Sequence, residues 1–221
     1  MTTTILLIRH GQTDWNAQGR WQGHVDIPLN EVGRQQALLL AERLQAWPIS
    51  AIYCSDLRRA AETAAIIARQ LDLEPVVDQL WRERHGGEFQ GLTQLEIEER
   101  HPQSWARLKQ GIVDLPGGES SQALYSRVQA ALDELLRRHA GEIVAVVTHG
   151  GTLRTVIGYV LNLPSEVAIR VQVGGNTGLT IVTASEDRPP VLERLNDIAH
   201  LEYASDGQSS GLLGHTFAKS Q

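Results

Sequence analysis

Short apolar runs alternate along this chain with longer stretches whose apolar residues recur at helical spacing, the pattern of a parallel sheet with crossover helices. Residues 5–8 (Ile-Leu-Leu-Ile) read as a first strand. Asn30 and Glu31 open a helical stretch to about Trp47, with Ala37, Leu38, Leu40, Ala41 and Leu44 at helical intervals, and Pro48 stops it. Residues 49–53 then read as a second strand, 57–71 as an Ala- and Arg-rich helix, and 75–77 as a short strand. Residues 120–139 are again helical, with Gly141 as terminator. The run 142–147 is the most β-branched in the chain, hence a central buried strand, and a helix follows at 152–161. Residues 167–173 and 178–183 read as a hairpin around Gly174-Gly175-Asn176, with 191–195 as an added edge strand.

The fold class expected is α/β: a three-layer α/β/α sandwich with a mostly parallel central sheet and a small, partly helical cap. At 221 residues the chain suits one domain over 1–221. The cap is placed as an insertion at about 84–120, where Gly86-Gly87, Gly91, Pro102 and Pro116-Gly117-Gly118 break a more charged stretch. A tail from about 204, rich in Ser and Gly, is expected to be mobile.

Charge and cysteine content exclude several classes. Twenty Lys and Arg against 26 Asp and Glu give a net charge of −6 with no long basic run, so no nucleic-acid partner is expected. No apolar run approaches the roughly 20 residues that cross a bilayer, and the N-terminus lacks the charge pattern of a signal peptide. These features point to a cytoplasmic protein that does not engage a membrane. Cys54 stands alone, which rules out an intrachain disulfide and a zinc cluster of several thiolates. The Gly-x4-Gly-Lys-Ser/Thr loop, the Gly-x-Gly-x-x-Gly fingerprint and the His-Glu-x-x-His helix are all missing. Cys54 also fails as a thiol-phosphatase nucleophile, because Arg59 lies one residue too near and Ala60 holds the required place.

Two strands end alike, in Arg9-His10-Gly11 and Thr148-His149-Gly150-Gly151. In open α/β sheets ligands bind outside the carboxyl ends of the strands, so two imidazoles would share one anion pocket. Glycine after each histidine permits close backbone approach, and free amides opening a helix suit an anion. A third strand ends before Ser55-Asp56-Leu57-Arg58-Arg59-Ala60, which brings two arginines to the head of a helix at the same edge. Arginine opposes the helix dipole there, so one of the pair is expected to serve a ligand.

These segments resemble the histidine phosphatase superfamily, the phosphoglycerate mutase-like family. Arg9-His10-Gly11-Gln12-Thr13 with Asp14-Trp15-Asn16, Gly19-Arg20-Trp21-Gln22-Gly23 and Asp26-Ile27-Pro28-Leu29 is similar to its signature. Ser55 to Ala60 resembles its second motif, which selects Arg59 over Arg58 for phosphate. Glu83-Arg84-His85-Gly86-Gly87-Glu88-Phe89-Gln90-Gly91 resembles the acid-bearing motif, and Thr148-His149-Gly150 completes the set.

The resemblance implies a phosphomonoesterase acting through phosphohistidine on His10, with Glu83 as proton donor and acceptor and with Arg9, Arg59 and His149 stabilising the transferred group. Gly11, Asn16, Gln22, Gly23, Arg84, His85, Glu119, Gly150 and His200 are the candidate phosphate or substrate contacts; for phosphoserine, Glu119 would meet the ammonium and Arg84, His85 or His200 the carboxylate. No cofactor and no metal are expected; the partner is a small phosphorylated metabolite, with a homodimer allowed. Phosphoserine, phosphoglycerate-type esters, sugar phosphates and ribazole phosphate all stay open as substrates. Glu83-Arg84-His85 and Gln90-Gly91-Leu92 also resemble the mutase branch, which keeps a cofactor-dependent phosphoglycerate mutase as the alternative. A protein-binding or protein-directed module is the alternative of another class. Trp21, Trp81 and Trp105 are read as packing residues, and His24, His101, His139 and His215 as solvated.

Overall fold

The computed structural model describes residues 1–111, 115–185 and 187–202. Its elements run β1 (Thr2–Arg9), α1 (Asp14–Ala17), α2 (Glu31–Leu44), β2 (Ala51–Cys54), α3 (Arg58–Leu71), β3 (Pro75–Val77), α4 (Gln94–Arg100) and α5 (Pro102–Lys109). They continue with α6 (Ser121–Arg138), β4 (Ile143–Thr148), α7 (Gly150–Val160), α8 (Ser165–Ala168), β5 (Leu179–Ser185), β6 (Arg188–Asp197) and α9 (Ala199–Glu202). Single 3-10 turns stand at Gln79–Trp81 and Gly87–Phe89.

The six strands form one sheet in the order β3-β2-β4-β1-β5-β6. The pairs from β3 to β1 are parallel, and β5 and β6 are antiparallel additions. A strand covered on both faces must be apolar throughout, and β1 and β4 show why their runs are unbroken. Ile5 and Leu7 pack with Val144 and Val146 under α6 and α7, against Val128, Leu135, Leu153 and Val156. Leu6 and Ile8 pack with Ala145 and Val147 on the opposite face, against Leu40 and Leu44 of α2 and Ala64 and Ile67 of α3. The α/β/α layering and the mostly parallel sheet are therefore as expected. Among the described residues no helix is long and apolar enough to cross a membrane.

The stretch 84–120 carries α4, α5 and the turn at Gly87–Phe89, with a small core of its own around Phe89, Ile97, Trp105, Leu108 and Leu115. Trp81 and Trp105 are buried, and Trp21 meets Phe89 edge to face, so all three rings pack as read. Cys54 is buried at the end of β2, and burial pushes its thiol up to about 12. The tail expected to be mobile, and His215 within it, lies outside the described residues.

The hairpin expectation is corrected. Residues 167–173 form no strand: Pro164 sets up a helical turn, its carbonyl accepting from the Val167 and Ala168 amides at 2.9 Å each, and α8 results. The valines there suggested a strand, but local turn bonding overrode β propensity. The hairpin instead joins β5 to β6 after Ser185. The segment 191–195 lies within β6, an edge strand, where the missing amides of Pro189 and Pro190 are tolerated. Helix α7 also begins two residues before the expected 152, directly after His149.

Candidate active site

Parallel register brings three strand ends to one edge. Arg9 of β1 stands beside Thr148 of β4, and Cys54 of β2 beside Val147, so the residues that follow each strand converge. His10 and His149 are both buried, with ring centroids 5.2 Å apart. Arg59, in the first turn of α3, is fully buried beside them.

The hydrogen bonds decide which ring nitrogens are free. Nδ1 of His10 lies 2.7 Å from the Gly11 carbonyl. A carbonyl only accepts, so Nδ1 carries the proton and Nε2 keeps its lone pair. Burial, then the charges of Arg59 and Arg9, hold the His10 pKa well below the ordinary imidazole value, which keeps the ring neutral. Nε of Arg59 donates to Nδ1 of His149 at 3.2 Å, so the His149 proton sits on Nε2. Burial and Arg59 likewise lower the His149 pKa. Arg59 is fixed further by the Gly23 carbonyl at 2.7 Å and the Val25 carbonyl at 2.9 Å. Arg9 donates through Nη1 to the Gly174 carbonyl. Its Nε, like Nε2 of His149, is a buried donor without a hydrogen-bond partner among the described residues. Two unpartnered buried donors beside a neutral imidazole make a receptor for an anion.

Burial pulls the Arg9 and Arg59 guanidiniums down to about 10, with Arg154 adding to the effect at Arg9 and Glu83 opposing it at both. Both remain cations at neutral pH. Glu83 is held by two backbone amides, Arg84 to Oε1 at 2.8 Å and Gly151 to Oε2 at 3.1 Å. One amide in the first turn of α7, that of Gly151, thus serves the Glu83 carboxylate.

A cavity of about 420 Å3 opens over this group. Arg9, His10, Asn16, Gln22, Gly23, Arg59, Glu83, Arg84 and Gly150 line it. Gly11 and His149 lie directly beneath, through the contacts above. His85, Glu119 and His200 do not line it. Both oxygens of Glu119 are taken by Arg127, at 2.7 and 2.8 Å. His85 packs edge to face on His24, whose Nε2 meets the Glu83 carbonyl at 2.7 Å. His24 is therefore half-buried under Glu83 and not a solvated residue. His139 is likewise engaged, with Tyr53 at 2.9 Å and Glu142 at 2.8 Å. Nε2 of His200 pairs with Thr177 Oγ1 at 2.9 Å, and the Thr177 amide donates to the Arg9 carbonyl at 3.0 Å. His200 touches the site only through that backbone.

Four residues escaped the sequence reading. Arg154 lines the cavity one helical turn after Gly150, a spacing that was legible. Gly151 was quoted but given no task. Asn176 donates to the His10 carbonyl at 2.9 Å, and Arg127 clamps the Leu80, Arg82 and Glu83 carbonyls at 2.8 to 3.0 Å. The last two act across the fold and carry no local signal. Among the described residues no three His, Cys, Asp or Glu side chains converge as a metal-binding group.

Fold and site together define an α/β protein built to hold an anion at the carboxyl edge of its sheet. The family profile described as histidine phosphatase superfamily (branch 1) matches residues 5–198, and the chain belongs to that superfamily. It is 41% identical over 203 residues to phosphoglycerate mutase-like protein 4 of Arabidopsis thaliana, covering 90% of this chain and 86% of that one. It is 38% identical over 210 residues to the metal-independent phosphoserine phosphatase of Arabidopsis thaliana, covering 90% and 83%. A mycobacterial glucosyl-3-phosphoglycerate phosphatase superposes with a TM-score of 0.80 at 30% identity, covering 89% of this chain and 99% of the other.

Proposed function

We propose that this chain hydrolyses phosphomonoesters of small metabolites by way of phosphohistidine on His10. The observation that carries the reading is the 2.7 Å contact between Nδ1 of His10 and the Gly11 carbonyl, which leaves Nε2 as the nucleophile inside a cage of cations. Nε2 attacks phosphorus as the ester P–O bond breaks, and the departing oxygen takes the Glu83 proton. Ionised Glu83 then accepts a proton from water, whose oxygen attacks phosphorus, breaks the P–N bond and releases inorganic phosphate. Arg9, Arg59 and His149 Nε2–H hold the phosphoryl oxygens through both halves. Asn16, Gln22, Gly23, Arg84 and Gly150 are assigned to binding, and Arg154 joins them. The named phosphatase relatives support hydrolysis over isomerisation. A lone buried Cys54 fits a reducing compartment, and this reading assigns the enzyme to the cytoplasm.

The test is phosphate release from a panel of phosphomonoesters run beside a coupled mutase assay on 3-phosphoglycerate. Phosphate release that exceeds isomerisation supports the reading. Faster isomerisation, or no turnover of any ester, overturns it.

A further inference from the structure

The cavity extends well past the group that would hold phosphate, and its character changes along the way. The inner end is charged, with Arg9, His10, Arg59 and Glu83. Away from that end most of the lining is apolar, with Leu108 of α5, Leu115 before α6, Leu124 on α6, and Leu163, Ile169 and Val173 beyond α7, interspersed with polar side chains such as Tyr125 and Ser165. A cavity of about 420 Å3 falls in the range of roughly 300–1,000 Å3 that encloses a drug-sized ligand, so a phosphorylated three-carbon acid would leave the outer part unfilled. Charge matters as much as size. Among the described residues Glu83 is the only carboxylate lining the cavity, and Glu119 is engaged by Arg127. Among the described lining residues an ammonium group on the substrate therefore meets no counter-charge other than the proton-transfer residue itself.

Resting on the phosphomonoesterase reading above, we propose that the preferred substrates are phosphomonoesters of bulky apolar alcohols, whose alkyl or aryl body lies against Leu108, Leu115, Leu124, Leu163 and Ile169. Phosphoserine is then a poor substrate despite the relatives named for it. The phosphate end supplies reaction and anchoring, and the outer chamber supplies selectivity by taking apolar surface out of water.

Straight-chain alkyl phosphates test this cleanly, because lengthening the chain changes buried surface while leaving the leaving-group chemistry nearly constant. From ethyl to hexyl phosphate kcat/KM is expected to rise about threefold per methylene, on the order of 80-fold in all. Hexyl phosphate should exceed phosphoserine. In Leu163→Ser and Ile169→Ser, both half-buried positions, the hexyl-to-ethyl ratio should fall at least fivefold. Calorimetric affinities of the matching alkylphosphonates read the chamber without turnover and should rise with chain length in parallel. A flat series, a ratio unmoved in both variants, or phosphoserine outrunning hexyl phosphate overturns the substrate class and leaves the phosphatase reading standing. If no ester is hydrolysed the phosphatase reading falls, and the alkylphosphonate series alone then decides the chamber: a rise supports it and a flat series overturns it.

Discussion

The backbone amide of Gly151 donates to Oε2 of Glu83 at 3.1 Å, and a Cβ built on Gly151 would overlap Oε1 of the same carboxylate. Glycine is needed at 151 for this approach rather than for any turn. Gly151→Ala must push Glu83 away while adding a better helix former near the start of α7. We expect kcat to drop on the order of 100-fold, close to the loss in Glu83→Gln, with the melting temperature within a few degrees of the parent. Full activity in Gly151→Ala would mean that the Glu83 carboxylate does not transfer the proton.

The neutral, Nε2-exposed state of His10 makes a covalent intermediate the direct expectation. Rapid quench with labelled substrate should trap protein-bound phosphate that is labile in acid and stable in base. His10→Ala should trap none and lose turnover by at least 1,000-fold, on the order expected when a nucleophile is removed. Label retained by His10→Ala would place the phosphoryl group on another residue.

The positive charge at the inner end is carried by guanidinium groups, Arg9, Arg59 and Arg154. Guanidinium stays charged and orients phosphate through paired donors, tasks that a divalent ion performs in other phosphoryl-transfer sites. Prolonged treatment with EDTA should leave kcat/KM within a factor of two. Loss with chelator and recovery with Mg2+ would overturn the assignment of that charge to arginine. Arg59→Lys should cost more than tenfold, since one ammonium cannot reach His149, Gly23 and Val25 at once.

How far the site was legible follows from what kind of signal each part carries. Parallel strands buried on both faces are unbroken apolar runs, so β1 and β4 and the histidines that close them stand out in the sequence. The Arg59 turn and Glu83 were readable because each sits in a compact local motif. Glu119 was not: its neighbours Gly117 and Gly118 suggest a mobile rim, and only the packing of α6 reveals that Arg127, eight residues on, takes both carboxylate oxygens. The outer chamber was equally hidden, because Leu108, Leu124 and Leu163 come from separate elements and each reads as ordinary core. Valines at 167, 171 and 173 misled in the opposite sense, their β-branching suggesting a strand where Pro164 starts a turn.

Among the described residues three buried histidines give stability a pH dependence whose sign is fixed. His10 and His149 sit well below the ordinary imidazole value, and burial, with Arg43 nearby, brings His200 to about 4. In the unfolded chain each titrates near 6.5. Between the folded and unfolded values the unfolded state binds protons that the folded state refuses, so stability rises with pH across that window and is lost as pH falls below about 6.5. Each histidine contributes up to about 1.4 kcal/mol per pH unit. Asp197, paired with Arg43 at 2.6 Å and held below the usual carboxylate range by that bond, and Glu119, lowered by Arg127, lose their contributions progressively from about pH 5 downward, so the interval from pH 6.5 to 5.5 reports chiefly the histidines. Urea unfolding should show a falling free energy through that interval, and His200→Gln, which keeps a polar group for Thr177 Oγ1, should reduce the slope by about 1 kcal/mol per pH unit. Its kcat/KM should change by the same factor on every ester, because His200 meets the site only through the Thr177 backbone. A flat stability profile, or a slope unmoved in His200→Gln, would contradict the buried neutral state of these rings.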